Sequence, residues 1–275
     1  MLKLSIIMPS YNSAEFIERA IQSVISQDYP NFECIVMDGG STDGTLGILK
    51  EYEDRIIWKS EKDKGQSDAI NKGIEIASGD IIGELDADDV YEKGAFRKVA
   101  CFFESNQNIK WVYGRCKVIN EKDKETWKPV TWIKTIWQKK FSYNKLLIMN
   151  FIAQPAVFWR KELVAEMGSF DVKDHLVMDY EYWLRVSKRY SPGFINDCLA
   201  GWRIHTSSKS SLNSATRAKQ GLDVAKRYTN SKMPLILHCL TYLGIVIIYS
   251  VSNYISKIKS RYLGENKSWQ AYKNL

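Results

Sequence analysis

The stretch that decides the fold is "DKGQSDAINKGIEIASGDIIGELDADD", residues 63–89. Its first part, "GQSDAINKGIEIAS" (65–78), carries apolar residues at helical spacing; "DIIGELDA" (80–87) reads as a strand. The strand runs straight into a knot of like charge: Glu84, Asp86, Asp88 and Asp89. Two carboxylates ~4–5 Å apart repel by several kcal/mol at an effective dielectric of about 20. Protons, basic side chains or a metal cation must offset that repulsion.

The same unit recurs upstream. "LSIIM" (4–8), "ECIVMD" (33–38) and "RIIWKS" (55–60) read as strands. "SYNSAEFIERAIQSVISQ" reads as a helix with Phe16, Ile17, Ala20, Ile21, Val24 and Ile25 on one face, and a further helix covers 43–53. Strands joined by helix-sized connections predict an α/β fold with a mostly parallel, Rossmann-like sheet. Ligands of such sheets bind beyond the carboxyl ends of the strands. Beyond residue 105 the pattern loosens. "IKWVYGRCKVIN" (109–120) suggests one or two strands, and the Trp-rich "ETWKPVTWIKTIWQKK" has no clear assignment. "QPAVFWRKELVAEMG" reads as strand then helix, "MDYEYWLRVSKRY" as a helix from about Asp179, and "GFINDCLAGWRIH" as a last strand. With no repeat or Pro-rich linker, residues 1–230 read as one domain.

Alternation along the fourth strand puts Ile82, Glu84 and Asp86 on one face, and an extended backbone would bring Asp88 into line. Two carboxylates aimed past a sheet edge suit Mg²⁺ or Mn²⁺ whose other ligands are phosphate and water. An EF-hand is excluded, because Tyr91 stands where its loop needs glycine and Arg97 where it needs glutamate. The plainer alternative is a solvated turn in which Asp88 or Asp89 caps the next helix. "DGGSTDGT" (38–45) lies at the same edge and lacks both G-x-G-x-x-G and the P-loop pattern. The five cysteines are odd in number and widely spaced, and read as reduced core residues of a cytosolic-facing protein.

The net charge of +7 is uneven. Residues 201–275 hold twelve Lys/Arg against Asp223 and Glu265, giving +10, so residues 1–200 carry 7 − 10 = −3. A basic tail points to a polyanion. Met233 to Ser256 are twenty-four uncharged residues, about 36 Å as a helix at 1.5 Å per residue. Basic residues flank both ends, so charge selects no orientation. A helix on an anionic membrane surface, a helix docked on the domain or on a second subunit, and a spanning helix all remain open. The tail suits lipid better than nucleic acid, so no nucleic-acid partner is expected. The location expected is cytoplasmic, peripheral on the inner face of the cytoplasmic membrane, with residues 231–275 as the appended tail.

"LSIIMPSYN", "DGGSTDGT", the stretch at 63–89 and "MDYEYWLR" together resemble the family 2 glycosyltransferases of the GT-A (nucleotide-diphospho-sugar transferase) fold, over residues 4 to about 210. The resemblance implies an inverting transfer of a sugar from a nucleoside diphosphate, commonly UDP, to an acceptor hydroxyl on a glycan or polyprenyl-linked oligosaccharide, as in bacterial surface-polysaccharide synthesis. It implies a nucleotide site lined by Pro9, Ser10, Tyr11, Asp38, Lys64, Asp68, Asp86 and Ala87. Asp88 would be the closer metal ligand, with Asp86 and His205 beside it and Mn²⁺ or Mg²⁺ as cofactor. Asp89 would be structural. Asp179 would be the catalytic base, in a family "ED" motif whose glutamate is here Met178. Gln154 would face the acceptor, and Arg203 and Lys209 the departing diphosphate. A catalytically silent sugar-nucleotide or glycan-binding protein of the same fold is the competing reading.

Overall fold

The computed structural model describes residues 1–174, 176–205, 208 and 214–244. Four strands form a parallel run: β1 (Leu4–Ser10), β2 (Phe32–Asp38), β3 (Ile57–Ser60) and β4 (Ile81–Glu84). Their connections are α1 (Ile17–Ile25), α2 (Thr45–Glu51) and α3 (Gln66–Ile76). The pairing is in step: Ser10 faces Asp38, Asp38 faces Ser60, and Ile7 faces Glu84. Loops leaving β1, β2, β3 and β4 therefore emerge on one edge.

The second half of the chain extends the sheet in mixed sense. After β5 (Val90–Tyr91) and α4 (Ala95–Ser105) comes β6 (Trp111–Ile119), one long strand with the short β7 (Glu125–Thr126) beside it. The Trp-rich segment forms α5 (Lys128–Gln138), followed by α6 (Tyr143–Ile148) and a 3-10 turn at Gln154–Ala156. Then come β8 (Val157–Arg160), α7 (Glu162–Met167), α8 (Met178–Ser187), β9 (Gly193–Arg203), α9 (Ser214–Tyr228) and α10 over residues 232–244. The strand order is β3-β2-β1-β4-β8-β6-β9-β5, with β8 antiparallel to both β4 and β6, and β9 parallel to β6. The parallel pattern loosens after residue 105 because β8 enters the sheet next to β4 ahead of β6. Its approach is close: a Cβ at Gly83 would lie 2.7 Å from the Phe158 ring.

Alternation along β1 sorts the core into two layers. Leu4, Ile6 and Met8 pack with Ile17, Ile21 and Val24 of α1 and with Phe96, Val99 and Phe103 of α4. Ile7 faces the other way, joining Ile70 and Ile74 of α3 and the aromatic group Trp111, Trp159 and Trp183. Trp111 and Trp183 stack at 5.3 Å. Each such buried side chain stabilises the fold by about 1.5–3 kcal/mol, so Trp111, Trp159 and Trp183 serve the core. The cysteine expectation holds only in part: Cys34 and Cys116 are buried, whereas Cys101 and Cys239 are exposed.

No described helix is long and apolar enough to cross a membrane. The expected apolar stretch is described only as far as residue 244, and the remainder lies outside the described residues. α10 turns His238 inward, its Nδ1 2.9 Å from the Leu147 carbonyl. Met233, Ile236, Leu237, Leu240 and Leu243 face outward.

Candidate active site

β4 ends at Glu84, earlier than alternation suggests. The chain then turns, with the Asp89 N–H donating to the Asp86 carbonyl at 3.0 Å. The turn, rather than an extended D-x-D, gathers the carboxylates, whose oxygens on Asp86, Asp88 and Asp89 lie within 4.8 Å of one another. Ala87, expected beside the nucleotide sugar, packs its side chain into the core beneath the turn.

Three neighbours offset the repulsion. The Gln66 side-chain amide donates to Asp86. His205 Nε2 lies 2.8 Å from Asp88 Oδ2, with its ring against Phe16. Arg203 donates its backbone N–H to Asp89 Oδ1 at 2.7 Å. The offset is incomplete. Burial, then Asp88 and Asp86, push the Asp89 carboxyl well above its ordinary range against the pull of Arg203. Burial and then Asp86 raise Glu84 likewise, opposed by the amide of Gln154. Asp89 Oδ2 is buried with no hydrogen-bond partner among the described residues. An oxygen-rich cluster short of positive charge fits a hard divalent cation.

Arg203 corrects one expectation. Its guanidinium is wholly buried: Nε donates to the Asp88 carbonyl at 2.5 Å, Nη1 to the Asn120 carbonyl at 2.9 Å, and Nη2 pairs with Asp123 at 2.5 Å. It braces the carboxylate turn from beneath rather than facing a diphosphate. Gln154, expected on the acceptor side, commits its amide to Glu84. Lys209 lies outside the described residues.

At the other end of the edge, Pro9 and Ser10 close β1, and Tyr11 is exposed. Asp38, expected to hold a base, is buried and takes four hydrogen bonds on its carboxylate. Its Oδ2 accepts from Gly40 N at 3.0 Å, Ser41 N at 2.9 Å and Ser60 Oγ at 2.6 Å, and its Oδ1 accepts from Ser41 Oγ. It orders the loop. Asp68 accepts the Lys64 N–H at 3.1 Å and pairs with Lys72 at 3.3 Å, while the Lys64 side chain is exposed.

Asp179 opens α8 with its Oδ2 accepting from Asn150 Nδ2 at 2.9 Å. Burial raises its carboxyl above the ordinary 3.8, against hydrogen bonds from Tyr180 N–H and Asn150 and the charges of Arg217 and Lys134. Met178 accepts the Ser67 hydroxyl at its sulfur, 2.8 Å away. Adjacent residues of α3 thus reach both parts of the site: Gln66 touches Asp86 and Ser67 touches Met178. Arg185 pairs with Glu181 at 2.9 Å, and the buried Glu181 also accepts the Tyr228 hydroxyl, which ties α9 to α8.

Lys134 is a residue that sequence reasoning missed. It lies on α5, 5.6 Å from the Trp202 ring centre. Burial pulls its ammonium below the ordinary lysine value, with Arg217 adding to the fall and Cys116 and Asp179 opposing it. The ambiguous periodicity of the Trp-rich segment hid it.

The model of "Glycosyl transferase family 2" matches residues 5–168, more than half of the chain. The chain belongs to that family. A relative in Escherichia coli, the UDP-Glc:alpha-D-GlcNAc-diphosphoundecaprenol beta-1,3-glucosyltransferase WfgD, is 31% identical over 249 residues, covering 89% of this chain and 93% of its own. A PGL/p-HBAD biosynthesis glycosyltransferase of Mycobacterium bovis is 28% identical over 186 residues, 66% of this chain and 68% of its own. Solved structures show the same GT-A fold. The mannosyltransferase PcManGT from Pyrobaculum calidifontis, in complex with GDP-Man and Mn²⁺, superposes with a TM-score of 0.67 at 18% identity, covering 97% of this chain and 76% of that one. S. aureus TarS 1-349 in complex with UDP gives 0.60 at 18% identity, covering 81% of this chain and 65% of that one.

Proposed function

We propose that this family 2 glycosyltransferase moves a sugar from a uridine diphosphate donor, with inversion, to a hydroxyl of a glycan or lipid-linked oligosaccharide. The observation that carries the reading is the first turn of α3. Gln66 holds the carboxylate turn and Ser67 holds the start of α8, so Asp86 and Asp179 flank one helix end. A nucleotide-sugar bound over that end would lie between a cation site and a base.

Asp179 takes the proton of the acceptor hydroxyl as that oxygen attacks the anomeric carbon and the bond to the diphosphate breaks. Asn150 holds the Asp179 carboxylate in place, and burial raises its basicity. Asp86, Asp88 and His205 would hold Mn²⁺ or Mg²⁺, which supplies positive charge for the leaving diphosphate. The names of WfgD and of the TarS complex support uridine nucleotides, and that of WfgD supports a lipid-diphosphate acceptor. Residues 1–230 serve as the catalytic domain. Residues 231–275 place it on the inner face of the cytoplasmic membrane through the outward apolar side of α10.

The test is nucleotide release from a panel of nucleotide sugars with Mn²⁺, Mg²⁺ or EDTA. A UDP-sugar is expected to turn over only with metal, and Asp179→Asn to stop turnover while nucleotide still binds. Failure of the wild type to bind or hydrolyse any nucleotide sugar would overturn the reading. Sedimentation with anionic liposomes, lost on deletion of 233–275, tests the membrane part. An intact chain that stays in the supernatant rejects it.

A further inference from the structure

The nucleotide end lacks the base-reading carboxylate that Asp38 was expected to supply. An ionised carboxylate offers about four lone-pair sites, and Asp38 has given its oxygens to Gly40, Ser41 and Ser60. The next residue, Gly39, has no side chain. A Cβ built there would lie 2.6 Å from Asp63 Oδ2 and 3.1 Å from its Cγ. The loop between β3 and α3 thus lays a carboxylate into the volume that a side chain at 39 would fill. Gly39 donates its N–H to the Ser10 carbonyl at 2.8 Å, which puts this carboxylate beside the end of β1. One oxygen is anchored, Oδ1 accepting the Gly65 N–H at 2.8 Å, and no hydrogen bond from a described residue reaches Oδ2.

We infer that Asp63 reads the base of the donor nucleotide, with Oδ2 accepting an imino N–H. The inference rests on the nucleotide-sugar reading and assigns a residue to the recognition of its base. A carboxylate only accepts, so it suits uracil through N3–H, or guanine through N1–H. Cytosine and adenine present a lone pair at the corresponding ring nitrogen and are repelled. The glycine is part of the device, because any side chain at 39 would evict the carboxylate.

The experiment is calorimetric binding of UDP, GDP, CDP and ADP with Mn²⁺, together with 3-methyluridine 5′-diphosphate and 1-methylguanosine 5′-diphosphate. These two analogues lack the imino proton. The wild type is expected to favour UDP or GDP over CDP and ADP by about tenfold or more, and to lose about tenfold on methylation of the favoured base. In Asp63→Ala the favoured nucleotide weakens by about tenfold and the methylation penalty falls below about twofold. Gly39→Ala, which displaces the carboxylate without removing it, should reproduce both effects should Asp63→Ala fail to fold. A methylation penalty that persists in these variants overturns the role of Asp63 and leaves the donor reading standing. A wild type that binds no nucleoside diphosphate overturns the donor reading and this inference with it.

Discussion

Arg203→Met separates two roles for the same cation. In the structure the guanidinium makes two charge-assisted hydrogen bonds to half-buried carbonyls, of Asp88 and Asn120, and one ion pair to Asp123. Each bond of the first kind is worth about 1.5–3 kcal/mol. The Asp123 side chain is 45% exposed, so that pair adds little. Methionine refills the volume of the stem but satisfies neither carbonyl, and water entering the gap recovers part of the loss. The expected cost is about 3–5 kcal/mol, a fall in melting temperature of roughly 10 °C. The turn carrying Asp88 and Asp89 loses its support as well, so the Mn²⁺ concentration for half-maximal activity should rise by about tenfold. Thermal unfolding and a metal titration read the two effects. A variant that melts within about 2 °C of the wild type and only raises the donor KM would refute the bracing role and return Arg203 to the substrate.

Asp179 should govern the acid limb of kcat. Its carboxyl is raised above 3.8 by burial, so activity falls as pH drops through that raised value, and Asp179→Asn should cost about 10²–10⁴-fold in kcat. A raised carboxyl disfavours the folded state as pH rises through it, so Asp179→Asn should be no less stable than the wild type at neutral pH, by denaturant titration. Lys134→Ala removes a charge that lowers Asp179, so the acid limb should move to higher pH; an unmoved limb would place the ammonium outside the site. Glu33 tests the other edge of the sheet. Burial raises it, but hydrogen bonds from Lys3, Ser5 and Ser78 prevail and bring it from 4.5 down to about 2. Its contribution, about 2 kcal/mol after discounting solvent screening, is complete above 4.5 and lost as pH falls through about 2, so Glu33→Gln should flatten that part of the stability–pH curve.

The parallel half of the sheet was legible because each strand and helix announces itself locally, with β1 to β4 spaced by amphipathic helices. Asp86 and Asp88 stood out because charge beside an apolar run is a local anomaly, whereas Asp179 was named only through the resemblance of "MDYEYWLR" to the family motif. What stayed hidden depends on contacts far apart in sequence. Gln154 meets Glu84 across 70 positions, and Arg203 meets Asp88 across 115. A buried arginine and a solvent-facing one look alike in a string of letters, so Arg203 read as a diphosphate contact. The turn at 86–89 entered only as the plainer alternative to an extended D-x-D, because alternation says nothing of where a strand stops.

The seam between β4 and β8 divides the molecule by task. Apart from His205, everything proposed to grip the nucleotide and its cation, including Asp63, lies on the N-terminal side, and the base with its Asn150 support lies on the C-terminal side. A chimera that keeps residues 1–105 together with Arg203 and His205, and borrows the rest from a relative, would therefore exchange acceptors while retaining the donor. Its success turns on a fit of one methyl group's dimensions. Gly83 leaves just enough space for the Phe158 ring, so the borrowed strand must bring a flat side chain to that crossing.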